Sequence, residues 1–209
     1  MVATRWYPKA FAYTANGEVD WADETTLKVA VMNDPFAFND AHDTWADVAA
    51  SDYSSSTGYT AGGEVITTPT VTEIDSAALD ARANTTAYLK GDLVRTASDS
   101  GRVFICVTAG TSAGSEPGGM ATLASGVNIT DGTVVWLNVG SALTAFGGDA
   151  VSWTGLDTDP TNAAVIYNDD GANEPLVGYV DFETTLNPTG IQLTPPASGY
   201  LWIAGGGGI

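Results

Sequence analysis

The sequence has very little of the chemistry on which most metal sites and many enzymes depend. Its 209 residues include one cysteine and one histidine, so it can form no internal disulfide and offers few of the ligands that zinc prefers. Basic residues are also scarce, with 7 lysines and arginines against 25 acidic residues and a formal net charge of −18. Phosphate binding requires many more cations, and an anionic membrane surface would repel this chain. These shortages argue against nucleic-acid and membrane partners.

Long apolar runs and helix-forming blocks are missing as well. No stretch approaches the roughly 20 apolar residues that span a bilayer, and Arg5 is followed by Trp-Tyr-Pro-Lys rather than by the apolar core of a signal peptide. The chain instead holds 24 glycines among many Thr, Val, Ser and Asp residues. This composition favours many short strands joined by tight turns, and it argues against a helical bundle.

The pattern of strands and turns predicts a mainly β fold: an antiparallel β-sandwich-like core with one short helix, interrupted by a small inserted β module. Apolar runs predict strands at LKVAVM, AAVIY and LVGYVDF, the first with Leu27, Val29 and Val31 on one face. The helix is predicted at Asp40 to Ala50, where Trp45, Val48 and Ala49 share one face that should pack on the sheet.

The same pattern sets the domain organisation. We predict an N-terminal arm at 1–26 with a turn at Asn16-Gly17, a core domain at 27–76 and 141–204, an inserted module of about four strands at 77–140, and a Gly-rich tail at 205–209. Asp131-Gly132 predicts a hairpin within the module.

The residues that usually carry nucleophilic or phosphate chemistry have simpler interpretations here. His42 and Asp43 lie near the start of the predicted helix, where capping explains them. No Gly-x-Ser-x-Gly elbow is present, and the Gly-rich corner at 58–63 lacks the lysine of a phosphate loop. Cys106 lies in an apolar run and is predicted to be a small core residue. We therefore expect a protein that is not an enzyme, with no catalytic residues and no cofactor.

Acidic residues are concentrated in predicted turns. The clearest pairs are Asp157 with Asp159 and Asp169 with Asp170. Aspartate is a common turn residue and keeps a surface soluble, which explains most of these positions. The alternatives are a complementary surface for a basic partner, or a loosely bound Ca²⁺, although no loop has the spacing of an EF-hand.

Aromatic residues cluster near the two ends of the chain. Residues 1–26 and the last ten residues supply seven candidates for an interface: Trp6, Tyr7, Phe11, Tyr13, Trp21, Tyr200 and Trp202. Exposing so many large aromatic side chains to water is unfavourable, so two interpretations are open. They either cover the edges of the chain's own sheets, or they anchor an assembly interface with another subunit.

Several segments resemble small structural proteins of tailed phages. The resemblance rests on Asp20-Trp21, LKVAVM, Ala41-His42-Asp43, STGYTAGG at 56–63, Val151-Ser152-Trp153, AAVIYNDD at 163–170 and PLVGYVDF at 175–182. It covers roughly residues 20–75 and 142–204. The resemblance implies a virion component and does not by itself distinguish head from tail. Together with the missing active-site chemistry and the aromatic termini, it leads us to expect a decoration (cement) protein on the capsid surface, which binds the major capsid protein and copies of itself as a homotrimer.

The predicted insert resembles a module of phage tail and fibre proteins, and its opening is similar to small chitin-binding modules. The segments concerned are AYLKGDLVR at 87–95, GRVFICVTAGTSAGSEP at 101–117 and TDGTVVW at 130–136. The resemblance implies an alternative function, a tail or fibre component whose residues 77–140 bind host glycan through an exposed loop with Glu116, Pro117 and Met120. Chitin-binding modules usually carry an aromatic after Glu-Pro, where this chain has Gly118-Gly119-Met120.

Overall fold

The computed structural model describes residues 3–22, 25–53, 57–170 and 173–205, and it confirms the mainly β, antiparallel fold. Within these residues it has sixteen strands and one α-helix. In chain order they are β1 Ala3–Trp6, α1 Ala10–Ala15, β2 Leu27–Asn33, β3 Glu64–Val65, β4 Thr70–Asp75, β5 Ala87–Tyr88, β6 Leu93–Arg95, β7 Val103–Thr108, β8 Gly110–Thr111, β9 Asn128–Asp131, β10 Val134–Gly140, β11 Ala142–Gly147, β12 Val151–Thr154, β13 Thr161–Asn168, β14 Leu176–Leu186, β15 Gly190–Leu193 and β16 Leu201–Gly205. Four residues of the predicted tail, 206–209, lie outside the described residues.

The chain divides into two compact units. The N-terminal unit is the chain up to Thr70 together with Gly148–Pro195, and the central unit is Val71–Gly147 together with the chain from Pro196 onward. The central unit is therefore larger than the insert predicted at 77–140. It gains β4, β11 and β16 because they form one sheet in the order β16-β11-β4. The C-terminal strand, predicted to join the core domain, pairs with β11 instead.

The N-terminal unit is built on a five-stranded sheet in the order β1-β14-β13-β2-β3. The three predicted strands LKVAVM, AAVIY and LVGYVDF are confirmed as β2, β13 and β14, and they lie side by side. Leu27, Val29 and Val31 are fully buried as expected, but Ala30 and Met32 on the opposite face are fully buried too. Strand β2 is therefore covered on both faces, which its nearly continuous apolar sequence permits.

The N-terminal arm is part of this sheet. Strand β1 pairs antiparallel with β14, so that Arg5 lies opposite Tyr179. The helix α1 follows directly, and Gly17, with φ of 76°, ends that segment as the predicted Asn-Gly turn. The one helix of the described residues is thus in the arm.

The helix predicted at residues 40–50 is wrong. Two short 3-10 turns replace it, at Trp45–Asp47 and Ala49–Ser51. The backbone here bonds to a distant part of the chain, since Trp45 N donates to Glu174 O (2.8 Å) and Leu176 N donates to Asp43 O (2.8 Å). A longer helix is not compatible with these tertiary bonds, which replace its ladder.

The predicted contact of this segment with the sheet is correct for two of its three residues. The Trp45 ring stacks on Tyr167, with centroids 4.4 Å apart and planes at 12°, and Val48 is 1% exposed. Ala49 is exposed. Thr44 and Asp47 form the cap of the first turn. The sequence predicted a capping role for Asp43 instead.

The central unit contains a four-stranded sheet in the order β6-β7-β10-β9, beside the β16-β11-β4 sheet and a short β5-β8 pair. Strand β7 is buried on both faces: Phe104 and Cys106 pack in one apolar cluster, and Val103 and Ile105 in another. The predicted hairpin is confirmed as β9–β10, where Gly132, with φ of 67°, supports the tight turn.

Candidate interaction surface

The five N-terminal aromatic candidates separate into buried and accessible side chains. Tyr7 is 1% and Trp21 5% exposed, so both belong to the core of the N-terminal unit. Trp6 and Tyr13 are half-buried, and Phe11 is 46% exposed. Trp6 lies next to Phe11, with ring centroids 4.9 Å apart, and 6.5 Å from Trp21. The exposed Phe11 ring and the neighbouring Trp6 ring form an accessible aromatic surface, which we call the Phe11 patch.

The two C-terminal candidates lie in the central unit. Tyr200 is 4% exposed, and Tyr200 N donates to Phe146 O (2.8 Å). Trp202 is half-buried and packs against the cluster that includes Leu143. Neither side chain is among the large apolar side chains that are exposed in the described residues.

The loop proposed for glycan contact is less exposed than expected. Met120 is fully buried in the cluster around Trp136, so its predicted exposure is wrong. Glu116 and Pro117 are half-buried, and Glu116 Oε2 accepts a hydrogen bond from Ala97 N (2.7 Å). The small residues Gly118 and Gly119 let the chain turn so that Met120, the next apolar side chain, packs inward.

A buried carboxylate accepts hydrogen bonds from the Gly-rich corner at residues 58–63. Asp52 accepts hydrogen bonds from Tyr59 Oη (2.8 Å) and Gly62 N (2.8 Å). Val31 N in turn donates to Tyr59 Oη (3.0 Å), and Tyr167 Oη donates to Gly62 O (2.8 Å). Burial raises the pKa of Asp52 above its usual value, although the hydrogen bonds from Gly62 and Tyr59 act in the opposite direction. These hydrogen bonds tie the corner to β2 and β13.

The central unit contains a second buried carboxylate, which forms an ion pair with a buried arginine. Asp131 is 1% and Arg82 5% exposed, and Arg82 donates from Nε to Oδ2 (2.8 Å) and from Nη2 to Oδ1 (2.7 Å). Trp136 Nε1 (3.0 Å) and Ala113 N (2.9 Å) also donate to this carboxylate. Burial acts to raise the pKa of Asp131, but these hydrogen bonds outweigh it and hold the pKa below its usual range. The Asp131 carboxylate therefore joins Arg82, Ala113 and Trp136 within the central unit.

His42 and Cys106 both have structural roles. The His42 ring stacks near Phe36, with centroids 6.4 Å apart, and its Nε2 lies 3.3 Å from Asn39 Nδ2. Cys106 is 1% exposed, which confirms the predicted core position. Its Sγ lies 3.2 Å from Thr108 O. Burial, followed by the charge of Asp92, raises the pKa of the Cys106 thiol to about 11.

We expect the Cys106 thiol to react slowly in the folded chain. At pH 8 the raised pKa lowers the thiolate fraction, and burial blocks access, so the reaction with an aromatic disulfide reagent should be at least roughly a hundredfold slower than in denaturant. Absorbance of the released thiolate measures both rates, and a Cys106→Ala variant supplies the blank. Similar rates in the two states would contradict the buried position.

The acidic turns do not converge on a metal site. Within the described residues there is no group of three or more His, Cys, Asp or Glu side chains placed to hold an ion. Asp157 Oδ2 accepts a hydrogen bond from Thr57 N (3.0 Å), which lowers the Asp157 pKa. Asp169 forms an ion pair with Lys28. These contacts fit the interpretation in which aspartates stabilise turns.

The outer surface is strongly acidic. Among the described residues, Asp52 and Asp131 are the acids that are buried, so the others lie at least partly at the surface. Ion pairs within the described residues join Lys9 with Asp43, Lys28 with Asp169 and Arg82 with Asp131. With 7 basic residues against 25 acidic ones, the sequence supplies few cations to offset the surface carboxylates.

The interface candidates chosen from the sequence do not include an accessible strand that the structure shows. Besides Phe11, the large apolar side chains that are exposed in the described part of the chain are Val71 at 54%, Leu89 at 61% and Val127 at 44%. Val71 lies in β4, whose residues Thr70–Glu73 are all exposed. The signal available in the sequence was the β-branched run from Thr70 to Ile74, which contains no lysine, proline or glycine.

Comparisons with known proteins add no relatives. No protein-family model, no curated protein and no solved structure matches the chain. In the part of the chain that the structure describes, no helix has the length and apolar character needed to cross a bilayer.

Proposed function

We propose that the chain is a structural protein of a phage virion, a capsid decoration protein that binds the outer surface of the head as a homotrimer and stabilises it. The observation that carries this proposal is the acidic surface of the two β units. The sequence has 25 acidic against 7 basic residues, and among the described acids Asp52 and Asp131 are the buried ones. Such a surface complements basic patches on a partner protein.

The internal contacts support a binding role rather than a catalytic one. The two buried carboxylates are each held by several hydrogen bonds from within their own unit. The thiol of Cys106 is buried with a raised pKa, which disfavours nucleophilic attack. The groups best able to react thus contribute to the fold, and we propose that the chain supplies surface and shape but no chemical step.

The Phe11 patch is the part of the predicted interface that we propose contacts another protein. Phe11 is 46% exposed beside the half-buried Trp6 ring, and large aromatic side chains often contribute most to interface affinity. Tyr7, Trp21 and Tyr200 are buried, and they contribute indirectly by fixing the elements around them.

The glycan-binding alternative has less support. Sugars stack on flat aromatic faces, but Trp136, the only tryptophan of residues 77–140, is fully buried, and Tyr88 packs edge-on against it with ring centroids 4.8 Å apart. This geometry favours the decoration role. Titration of the full chain with chitin oligomers separates the two functions, because a decoration protein should show no saturable binding at millimolar sugar.

The location in the particle is tested by separating heads from tails of the phage that encodes the chain. Mass spectrometry should find the chain in the head fraction, in a fixed ratio to the major capsid protein. Heads stripped of the chain should melt at a lower temperature, and adding back the purified chain should restore stability. Recovery only in tails, or in no particle, would contradict the proposal.

The same add-back assay tests the Phe11 patch. Phe11→Ser should require roughly tenfold more protein for half-saturation of stripped heads, because it removes an exposed aromatic anchor. Leu89→Ser is the matched control, since Leu89 is even more exposed at 61% but was not among the interface candidates. Equal affinities for the two variants would exclude the Phe11 patch from the interface.

A further inference from the structure

We propose that the free edge of β4 binds an extended basic segment of a partner protein by adding it to the sheet as a further strand. Strand β4 (Thr70–Asp75) lies at the end of the β16-β11-β4 sheet, with β11 on one side and no strand on the other among the described residues. It is also the longest edge strand in the described sheets. An open edge presents a row of N–H and C=O groups that another extended chain can pair with.

The side chains of β4 are accessible on both faces of the strand. Thr70, Thr72 and Ile74 alternate with Val71, Glu73 and Asp75. All of them are exposed except Ile74, which is half-buried, and Val71 is 54% exposed. A strand within a packed sheet normally has at least one buried face. The exposure of both faces therefore leaves apolar area that an added strand and its flanking residues would cover.

Strand β4 has few of the features that usually protect an edge. Natural edge strands carry charged side chains, above all lysine, or a proline or a bulge. The charges on β4 are the carboxylates of Glu73 and Asp75, which repel an acidic strand but attract a basic one. Here four of six residues are β-branched, the nearest proline, Pro69, precedes the strand, and no glycine or basic residue interrupts it. Such a sequence pairs readily with another strand.

Charge selects the partner. Glu73 and Asp75 are two residues apart on the same face of β4, so a partner strand with lysine or arginine at alternate positions would place a cation opposite each carboxylate. A second copy is a poor match, because it carries a formal charge of −18. If two copies paired antiparallel through β4, Glu73 of one copy would lie directly or diagonally opposite Glu73 of the other, and the two carboxylates would repel each other. Strand addition at β4 does not depend on the head location proposed above.

The test uses the full chain and a short fluorescent peptide that alternates valine and lysine. The peptide should bind with an increase in anisotropy, and hydrogen exchange at the amides of residues 70–75 should slow on binding, while amides of the edge strands β6 and β9 should not change. A valine–glutamate peptide should not bind. An N-methylated valine–lysine peptide, which keeps the charges but cannot pair with an edge, should lose binding as well.

Two charge-reversal variants make the test specific. Glu73→Lys should weaken binding of the valine–lysine peptide on the order of fivefold and allow the valine–glutamate peptide to bind, because it exchanges an attractive cross-strand pair for a repulsive one. Asp40→Lys changes the net charge equally at an exposed position outside β4, and it should leave the affinity within about twofold.

Three outcomes would overturn the proposal. The first is equal binding of the N-methylated peptide, since the interaction would then be attraction between charges alone. The second is equal loss of affinity in Glu73→Lys and Asp40→Lys. The third is concentration-dependent protection of residues 70–75 without any peptide, which would identify a second copy as the occupant. Circular dichroism of both variants shows whether each retains the β fold.

Discussion

Replacing Gly63 by alanine should destabilise the N-terminal unit by about 3 to 4 kcal/mol. Gly63 has a φ of 80°, and a Cβ added there would lie 1.9 Å from Val29 O and 2.6 Å from Val29 C. Both are backbone atoms of β2, the strand buried on both faces, so they cannot move aside without disturbing the five-stranded sheet. The corner would have to lift away from β2 and strain the bonds between Asp52 and its donors.

Gly17→Ala is the matched control for this variant. Gly17 has a similar φ of 76°, but a Cβ there meets no atom within 4 Å, so only the backbone strain remains, at about 1 kcal/mol. Urea unfolding followed by tryptophan fluorescence gives both free energies, and hydrogen exchange at the amides of β2 locates the loss. Equal effects at the two positions would show that close approach to Val29 is not what requires glycine at 63.

The elements predicted correctly from sequence are those with a strong local signal. LKVAVM, AAVIY and LVGYVDF are apolar runs of strand length, and they form β2, β13 and β14. The Asp131-Gly132 hairpin depends on a backbone conformation that glycine adopts easily. In each case the residues that produce the structure are neighbours in the chain, so their pattern is visible without knowledge of the rest of the fold.

The errors have non-local causes. The spacing of Trp45 and Val48 fits a helix, but hydrogen bonds to Glu174 and Leu176, more than a hundred residues away, hold the segment in short turns. The boundary of the central unit depends on β16 pairing with β11. The local sequence of Leu201–Gly205 does not determine which strand it pairs with, because an apolar strand fits the edge of a sheet in either unit.

The candidate site was predicted only in part, for a related reason. Aromatic composition marked Phe11 and Tyr7 equally, but burial separates them: Phe11 is 46% and Tyr7 is 1% exposed. Accessibility depends on how α1 and the residues before it pack against the rest of the unit, and tertiary contacts set that packing rather than residue type. The same reasoning explains why β4 was not among the interface candidates, since the free edge of a sheet is identified only once the strand order is known.

Replacing Arg82 by methionine should destabilise the central unit by about 3 to 5 kcal/mol at neutral pH, because it leaves the carboxylate of Asp131 charged and buried without its cation. Hydrogen bonds from Trp136 and Ala113 would remain, but they do not neutralise the charge. Lys9→Met provides the comparison. Lys9 also pairs with an aspartate, Asp43, but its side chain is 60% exposed, so its loss should leave the unfolding free energy close to that of the parent.

The pH dependence of the Arg82→Met variant distinguishes a buried charge from lost packing. In the parent, Arg82 and the other donors hold the pKa of Asp131 below its usual range. Their stabilisation is therefore present above the unfolded-state pKa near 4 and is lost as the pH falls through the lower folded-state value. Without Arg82, burial should raise the folded-state pKa above the unfolded one. Acidification from pH 7 towards pH 4 should then protonate Asp131, favour the folded state and narrow the gap between variant and parent. Urea unfolding at several pH values measures that gap, and a gap that stays constant would mean that Arg82 contributes through packing alone.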